Sequence, residues 1–243
     1  MNKRYVVLGL IGAVVVLGGA VWFFFLRSDA PPPATLEDAV ASLTSTTSAG
    51  TTSETTSAPE TTAAARDGLD GSWVVDPAVS FVGYRIDEEL ASLGSVTAVG
   101  RTSTIDAELV FAGTEVSELS VTVDMTTLES DRSQRDGAMR TRGLESSSFP
   151  EASYVLTTPI GLGSVPVDGE TFTASATGDL TIHGVTQAVV IELEGSLVDG
   201  TVVIVGSVEI VLADYGIEKP TGFSVLDIAD VGLLEIQLAL IPN

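Results

Sequence analysis

Apolar and polar residues alternate from Ala174 to Gly195, and this alternation constrains the fold more than any other feature of the chain. On either side of His183-Gly184 the apolar residues occupy mostly every second position. A period of two predicts β-strands with one face toward a core and the other toward water. We therefore predict two strands joined by a tight turn at His183-Gly184. Because an isolated hairpin is only marginally stable, other strands must close around it.

The same period of two recurs along most of the chain after Leu69. We count about eight to ten short strand-like segments with turn signals between them, a pattern typical of a barrel or a sandwich. The apolar set of each strand must point to the enclosed side. Small residues at Ala174, Ala176 and Gly178 leave room for an apolar cavity. The residues predicted to line it are Val82, Tyr84, Val123, Tyr154, Phe172, Leu180, Ile210 and Ile236.

The segment 130–143 lacks the period of two. Asp131 and Gln134 have the spacing of a helix start, and the glycine at the end of the segment is a common helix stop. We predict a short helix with Met139 and Leu144 facing inward. A helix inserted between barrel strands would cover one end of the barrel.

This segment also concentrates positive charge. Of the seven cationic residues after Leu69, four fall within eleven positions, namely Arg132, Arg135, Arg140 and Arg142. One interpretation is a basic rim that receives an anionic headgroup such as a prenyl phosphate. The other is pairing along the helix surface with Asp131, Asp136 and other acids of a very acidic domain.

The N-terminal residues 1–27 have the pattern of a membrane anchor. The stretch from Tyr5 to Leu26 is almost wholly apolar and uncharged, and its 22 residues would span about 33 Å as a helix, enough for a bilayer core of roughly 30 Å. Lys3 and Arg4 precede it, which favours a cytoplasmic N-terminus and an extracytoplasmic globular part. A cleaved signal peptide is the alternative.

Residues 28–68 have a different composition. Three prolines follow Ala30, and Thr, Ser and Ala dominate from Ala41 to Ala65. Such a segment buries too little apolar surface to offset its chain entropy, so we predict a disordered linker. We predict one or two helical turns at most from Leu36 to Leu43, with little to pack against. The globular domain is then 69–243.

The overall charge and the missing cysteines exclude several classes of site. A net charge of −22 argues against binding of nucleic acid, which needs clustered Lys and Arg. With no cysteine, the chain has neither a disulfide nor a thiolate metal site. The single histidine, His183, cannot form a multi-histidine metal site and falls at a predicted turn, which argues against an enzyme. We expect Glu88-Glu89, Glu192 and Glu194 to be solvated carboxylates rather than paired catalytic acids.

Several short motifs stand out between about Gly71 and Leu240. They are Gly178-Asp179-Leu180-Thr181-Ile182-His183-Gly184-Val185-Thr186, Arg135-Asp136 after Leu128-Glu129-Ser130, Phe149-Pro150 before Tyr154, Asp214-Tyr215-Gly216-Ile217, and Asp76-Pro77-Ala78 followed by Ser80. Together and in their order along the chain, these motifs resemble the YceI-like family of polyisoprenoid-binding, lipocalin-like barrels. Many members carry histidine at the positions of Val79 and Glu88, so no role of those histidines transfers. Tyr84-Arg85 and Val99-Gly100-Arg101-Thr102 resemble a different branch.

The resemblance implies an all-β antiparallel barrel with a long apolar cavity that holds an isoprenoid or a similar lipid, and no catalytic reaction or cofactor. The anchor and linker imply a membrane-tethered version of a periplasmic or secreted protein. The alternative is a structural or interaction domain whose barrel interior is filled by its own side chains. The number of subunits does not follow from the sequence.

Overall fold

The structure is a computed structural model that describes residues 30–49 and 69–243, with side chains over 45–49 excepted. Within those two ranges, no helix has the length and apolar character needed to cross a bilayer. The predicted anchor within residues 1–27 lies outside the described residues.

The described chain is dominated by strands, and every pairing between them is antiparallel. The strands are β1 (Gly71–Val75), β2 (Phe81–Leu90), β3 (Gly94–Thr102), β4 (Ile105–Ala112), β5 (Glu115–Asp124), β6 (Glu129–Ser130), β7 (Glu151–Leu156), β8 (Ile160–Gly161), β9 (Thr171–Ile182), β10 (Val185–Val198), β11 (Thr201–Val211), β12 (Val225–Ile228) and β13 (Val231–Pro242). The helices are α1 (Leu36–Ala49) and α2 (Ser133–Thr141).

The sheet closes into a barrel with eight strand positions around its wall. We call each position a stave, whether one strand or two strands placed end to end fill it. β1 and β2 lie end to end against β13, and β3 and β4 lie end to end against β2 and β1, so each pair acts as one interrupted stave. The other six staves are β5, β7, β9, β10, β11 and β13. Pairing of β13 with β1 and β2 completes the ring. Closure removes the exposed edges that an open sheet of this size would present.

The hairpin predicted from Ala174 to Gly195 is confirmed as β9 and β10. Ile182 pairs with Val185, so His183 and Gly184 form a two-residue loop. Both loop residues have positive φ, 54° and 72°, as a type I′ turn requires. This turn fits the right-handed twist of the strands, and only glycine adopts its second position without cost.

Helix α2 is confirmed, although its start differs from the prediction. The N-cap is Arg132, whose side chain makes no capping hydrogen bond, so Asp131 and Gln134 do not form a capping box. Instead the Asp136 carboxylate accepts hydrogen bonds from the backbone and side chain of Ser130, at 3.0 and 2.6 Å. These bonds join the first turn of the helix to the end of β6.

Helix α1 corrects the prediction of a disordered linker within the described part of residues 28–68. It packs on the outer face of β10 and β11, where Ala39 covers Val203 and Val205 and is only 1% exposed. The missed signal is a helical spacing of apolar residues that matches the outward-facing side chains of an uninterrupted apolar run in β11, residues 202–205. That spacing comprises Leu36, Ala39, Val40 and Leu43.

Candidate ligand-binding cavity

The barrel encloses an apolar lumen made of two chambers. The mouth chamber lies under α2 and has a volume of about 100 Å³. The deep chamber lies between the middle parts of the staves and has a volume of about 60 Å³. Four side chains line both chambers and form a waist between them, namely Val82, Val123, Ala152 and Leu234. Most of the other lining residues are aliphatic, as the alternation of the strands dictates.

The end of the mouth chamber is closed by elements outside the staves. Met139 of α2 and Leu144 after it face the chamber, as predicted. Ile217 and Pro220, in the segment between β11 and β12, line the same end. Met125 also lines this chamber, and methionine side chains adapt easily to a changing shape.

Seven of the eight residues predicted to line a cavity do so. Val82, Tyr84, Val123 and Ile210 line the mouth chamber. The deep chamber is lined by Tyr154, Leu180 and Ile236. Val82 and Val123 line both chambers. Phe172 is the exception, because its ring covers Gly195 on the neighbouring strand rather than a cavity.

Three interior glycines, Gly100, Gly178 and Gly195, each accommodate an aromatic ring from an adjoining stave. Tyr84 covers Gly100 and Tyr154 covers Gly178, so that a Cβ at either glycine would overlap the ring. The expectation that Gly178 leaves room for a ligand is therefore wrong, since Tyr154 already occupies that space. Ala176 does line the deep chamber, whereas Ala174 only packs against the core.

A buried ion pair fastens α2 to the lumen wall. The Arg135 guanidinium binds Glu88 with two hydrogen bonds of 3.1 and 3.0 Å, and both side chains are less than 10% exposed. Arg135 also pairs with Asp131. Burial opposes the charged form of Arg135, but hydrogen bonds and charge from Glu88 outweigh it and raise the pKa of Arg135. The prediction that Glu88 is solvated is wrong, since its parity in β2 directs it inward.

The four arginines that were predicted to form a basic rim do not form a single cluster. Arg135 is committed to Glu88 and Asp131, while Arg132 is half exposed and lies 3.4 Å from Asp131. Arg140 and Arg142 are exposed at the end of α2. No carboxylate in the described ranges lies within ion-pair distance of these last two.

Two tyrosine hydroxyls lie in the lumen wall and stay neutral. Burial raises the pKa of Tyr84, against an opposing effect of the nearby Arg135 charge. Burial, with a contribution from Asp179, raises the pKa of Tyr154 to about 12. The Tyr154 hydroxyl is buried and has no hydrogen-bond partner among the residues that the structure describes.

His183 connects three loops at the mouth end. Its Nε2 lies 2.8 Å from the Glu145 carboxylate, and its Nδ1 lies 3.1 Å from the carbonyl oxygen of Tyr215. The ring packs against Phe149 at 4.3 Å between centroids. Glu192 and Glu194 are exposed on the outer face of β10. Across the described ranges, no cluster of three His, Asp or Glu side chains has the arrangement of a metal site.

An eight-stave antiparallel barrel around an apolar lumen, covered at one end by a helix, defines a lipocalin-like barrel protein. The chain belongs to the YceI-like family, since the model of the YceI-like domain matches residues 73–240. That match covers nearly the whole barrel.

Curated relatives and solved structures agree with this assignment. A UPF0312 protein of Shewanella denitrificans is 30% identical over 172 residues, which cover 63% of this chain and 86% of the relative. A UPF0312 protein of Vibrio parahaemolyticus is 30% identical over 112 residues, and the chain spans only 56% of its length.

Two solved structures share the fold. A polyisoprenoid-binding domain from Saccharophagus degradans, implicated in plant cell wall breakdown, superposes with a TM-score of 0.57 at 17% identity, covering 70% of this chain and 98% of that one. BcnA of Burkholderia cenocepacia superposes with a TM-score of 0.54 at 18% identity, covering 68% and 98%. At such identities the similarity establishes the fold.

Proposed function

We propose that this chain is a membrane-tethered, extracytoplasmic binding protein that holds an isoprenoid or a similarly slim apolar lipid in its barrel lumen. The observation that carries the proposal is the lumen itself, two apolar chambers that meet at a waist and are not filled by their own side chains. The polyisoprenoid-binding domain from Saccharophagus degradans has the same fold. Tethering rests on the apolar stretch from Tyr5 to Leu26 and the basic residues before it.

The dimensions of the lumen restrict the ligand. Chambers of about 100 and 60 Å³ are smaller than the roughly 300–1,000 Å³ of sites that hold drug-sized molecules. A single extended chain, one methyl branch wide, suits such a passage better than a bulky ring. Movement of Met125 and Met139 would widen the mouth chamber on binding. Burial of a hydrocarbon chain is worth about 25 cal/mol per Å² before the cost of ordering it.

The waist offers a direct test. Ala152 is 8% exposed and lines both chambers, so Ala152→Leu should narrow the passage. Full-length protein, purified in mild detergent, is titrated with geranylgeraniol and followed by quenching of intrinsic fluorescence. We expect affinity to fall at least tenfold while the far-UV circular dichroism stays unchanged.

A matched control is Ala188→Leu, which adds the same side chain on the exposed outer face of β10. It should bind geranylgeraniol as the parent does. Equal binding by the Ala152→Leu protein would show that geranylgeraniol does not occupy the lumen. No binding by the folded parent would instead favour a structural or interaction domain without a ligand.

A further inference from the structure

Exposed apolar side chains gather around the mouth end of the barrel. Phe223 is fully exposed in the segment between β11 and β12, three residues after Pro220, which lines the mouth chamber. Leu226 follows on β12 and is more than half exposed. Val211 and Val231, paired in register across β11 and β13, are also exposed. A patch of this kind beside a cavity entrance marks an interaction site.

Unpaired positive charge lies next to this patch. Arg140 and Arg142 end α2, and a Cβ added at Gly143 would lie 3.5 Å from the Pro220 ring. The end of the helix therefore contacts the segment that carries Phe223. Lys219 neutralises part of the local acidity, since its ammonium lies 2.6 Å from Asp230 and also pairs with Asp227. We call Arg140, Arg142, Phe223 and Leu226 the mouth surface.

Residues Pro31 and Pro32 are bound to the outer wall of the barrel, only a few residues after the apolar N-terminal stretch. The carbonyl oxygens of Pro31 and Pro32 accept hydrogen bonds of 2.7 and 3.0 Å from Arg85 and Arg101 on the outer wall. The apolar stretch that ends at Leu26 precedes Pro31 by five residues, which reach about 17 Å when fully extended. A barrel attached at Pro31 therefore remains near the bilayer that holds this stretch.

We propose that the mouth surface docks on a phospholipid bilayer. Phe223 and Leu226 enter the region between headgroups and acyl chains, and Arg140 and Arg142 bind lipid phosphates through their forks of donors. An apolar ligand then passes between bilayer and lumen without crossing water. The proposal rests on the proposed function for the tether before Pro31 and for the ligand that passes into the lumen, and it adds the surface that faces the bilayer.

The absence of cysteine makes a site-specific probe straightforward. Gly222→Cys places a thiol next to Phe223, and Gly161→Cys places one on β8 at the opposite end of the barrel. Both glycines have ordinary φ values and open space where a Cβ would lie. Each full-length variant is labelled with the environment-sensitive dye NBD and reconstituted into vesicles of phosphatidylcholine and phosphatidylglycerol.

We expect the label at position 222 to shift its emission to the blue and to be quenched by nitroxide-bearing lipids at least three times more strongly than the label at 161. Adding Phe223→Ser, or Arg140→Gln with Arg142→Gln, should reduce that quenching at least twofold. Equal, weak quenching at both positions would overturn the proposal, and so would quenching that none of these substitutions alters.

Lipid extraction followed by mass spectrometry separates this proposal from the proposed function. If the protein retains an isoprenoid while the label at position 222 stays in water, docking is wrong and the lumen function stands. If the label enters the bilayer while neither extraction nor geranylgeraniol titration shows a bound lipid, docking stands and the lumen function is wrong.

Discussion

Two glutamates on neighbouring strands are both buried and both bound to arginine, yet they attach different segments to the barrel. Glu88 points from β2 into the lumen and binds Arg135 of α2. Glu235 points from β13 to the outside, where it is 1% exposed and binds Arg85 and Arg101 at 3.0 and 3.2 Å. At the inner site, the ion pair itself joins the added helix to the wall.

At the outer site, both arginines belong to the wall and the N-terminal segment contributes only backbone carbonyl oxygens. The Arg101 guanidinium also lies 4.0 Å over the Phe81 ring. The outer cluster therefore stabilises three strands, β2, β3 and β13, as well as the segment that covers it. The inner pair fixes one helix. Loss of the Glu235 carboxylate should therefore lower the free energy of unfolding more than loss of the Glu88–Arg135 pair.

The largest effect is expected from Glu235→Gln. This change leaves two partly buried guanidinium groups, with side chains 17% and 26% exposed, without a negative partner. Breaking a buried ion pair costs about 3–5 kcal/mol. Denaturant titration of the full-length protein measures the free energy of unfolding. Glu209→Gln, at an exposed position on β11, is the control and should change it by less than about 0.5 kcal/mol. A similar small change in both variants would contradict the proposed importance of the outer cluster.

A smaller loss, about 3 kcal/mol, is expected from Arg135→Ala, because one buried carboxylate loses its partner; this is the lower end of the range for breaking a buried ion pair. The double variant Glu88→Leu with Arg135→Met should recover more than half of it, since neither residue then leaves a lone charge. Thermal melts with and without geranylgeraniol provide the measurement. Unchanged stability combined with lost binding would show that Arg135 serves a ligand headgroup instead of α2.

Ala39→Arg tests the N-terminal attachment without touching either glutamate. The long side chain cannot fit between α1 and Val203, so the helix should detach and hydrogen exchange over residues 36–44 should accelerate. Exposure of Val203 and Val205 should lower the unfolding free energy by about 1–2 kcal/mol. Glu37→Arg on the exposed face of α1 is the control. Unaltered exchange in Ala39→Arg would show that α1 does not depend on this contact.

The smallest effect is expected from Tyr154→Phe, which removes a buried hydroxyl that lacks the partners both glutamates have. Stability should rise by about 1 kcal/mol at neutral pH. Burial raises the pKa of Tyr154 to about 12, so between about pH 10 and 12 the unfolded chain loses the phenol proton while the folded barrel keeps it, and the stability of the parent falls over that range. The variant should therefore lose less stability than the parent between pH 10 and 12 in parallel unfolding titrations.

The local alternation of apolar and polar residues was enough to predict much of the barrel. Alternation identifies the strands, and parity places Tyr84, Leu180 and five other side chains in the lumen wall, because successive residues of a strand always face opposite sides. The turn at His183-Gly184 was predictable for the same reason, since a two-residue loop depends on its own backbone geometry. The family motifs also lie in contiguous stretches and could be recognised without the structure.

Only the tertiary structure decided which neighbours these residues meet. The sequence predicts a solvated carboxylate at Glu88. In the structure, α2 brings Arg135 into contact with it, although the two residues are 47 positions apart in the chain. Phe172 shares the parity of the lumen residues, but register sets its ring over Gly195. Val203 lies on the outer face and is buried by a helix from the predicted linker. Such contacts depend on barrel closure and on strand register, neither of which a period of two contains.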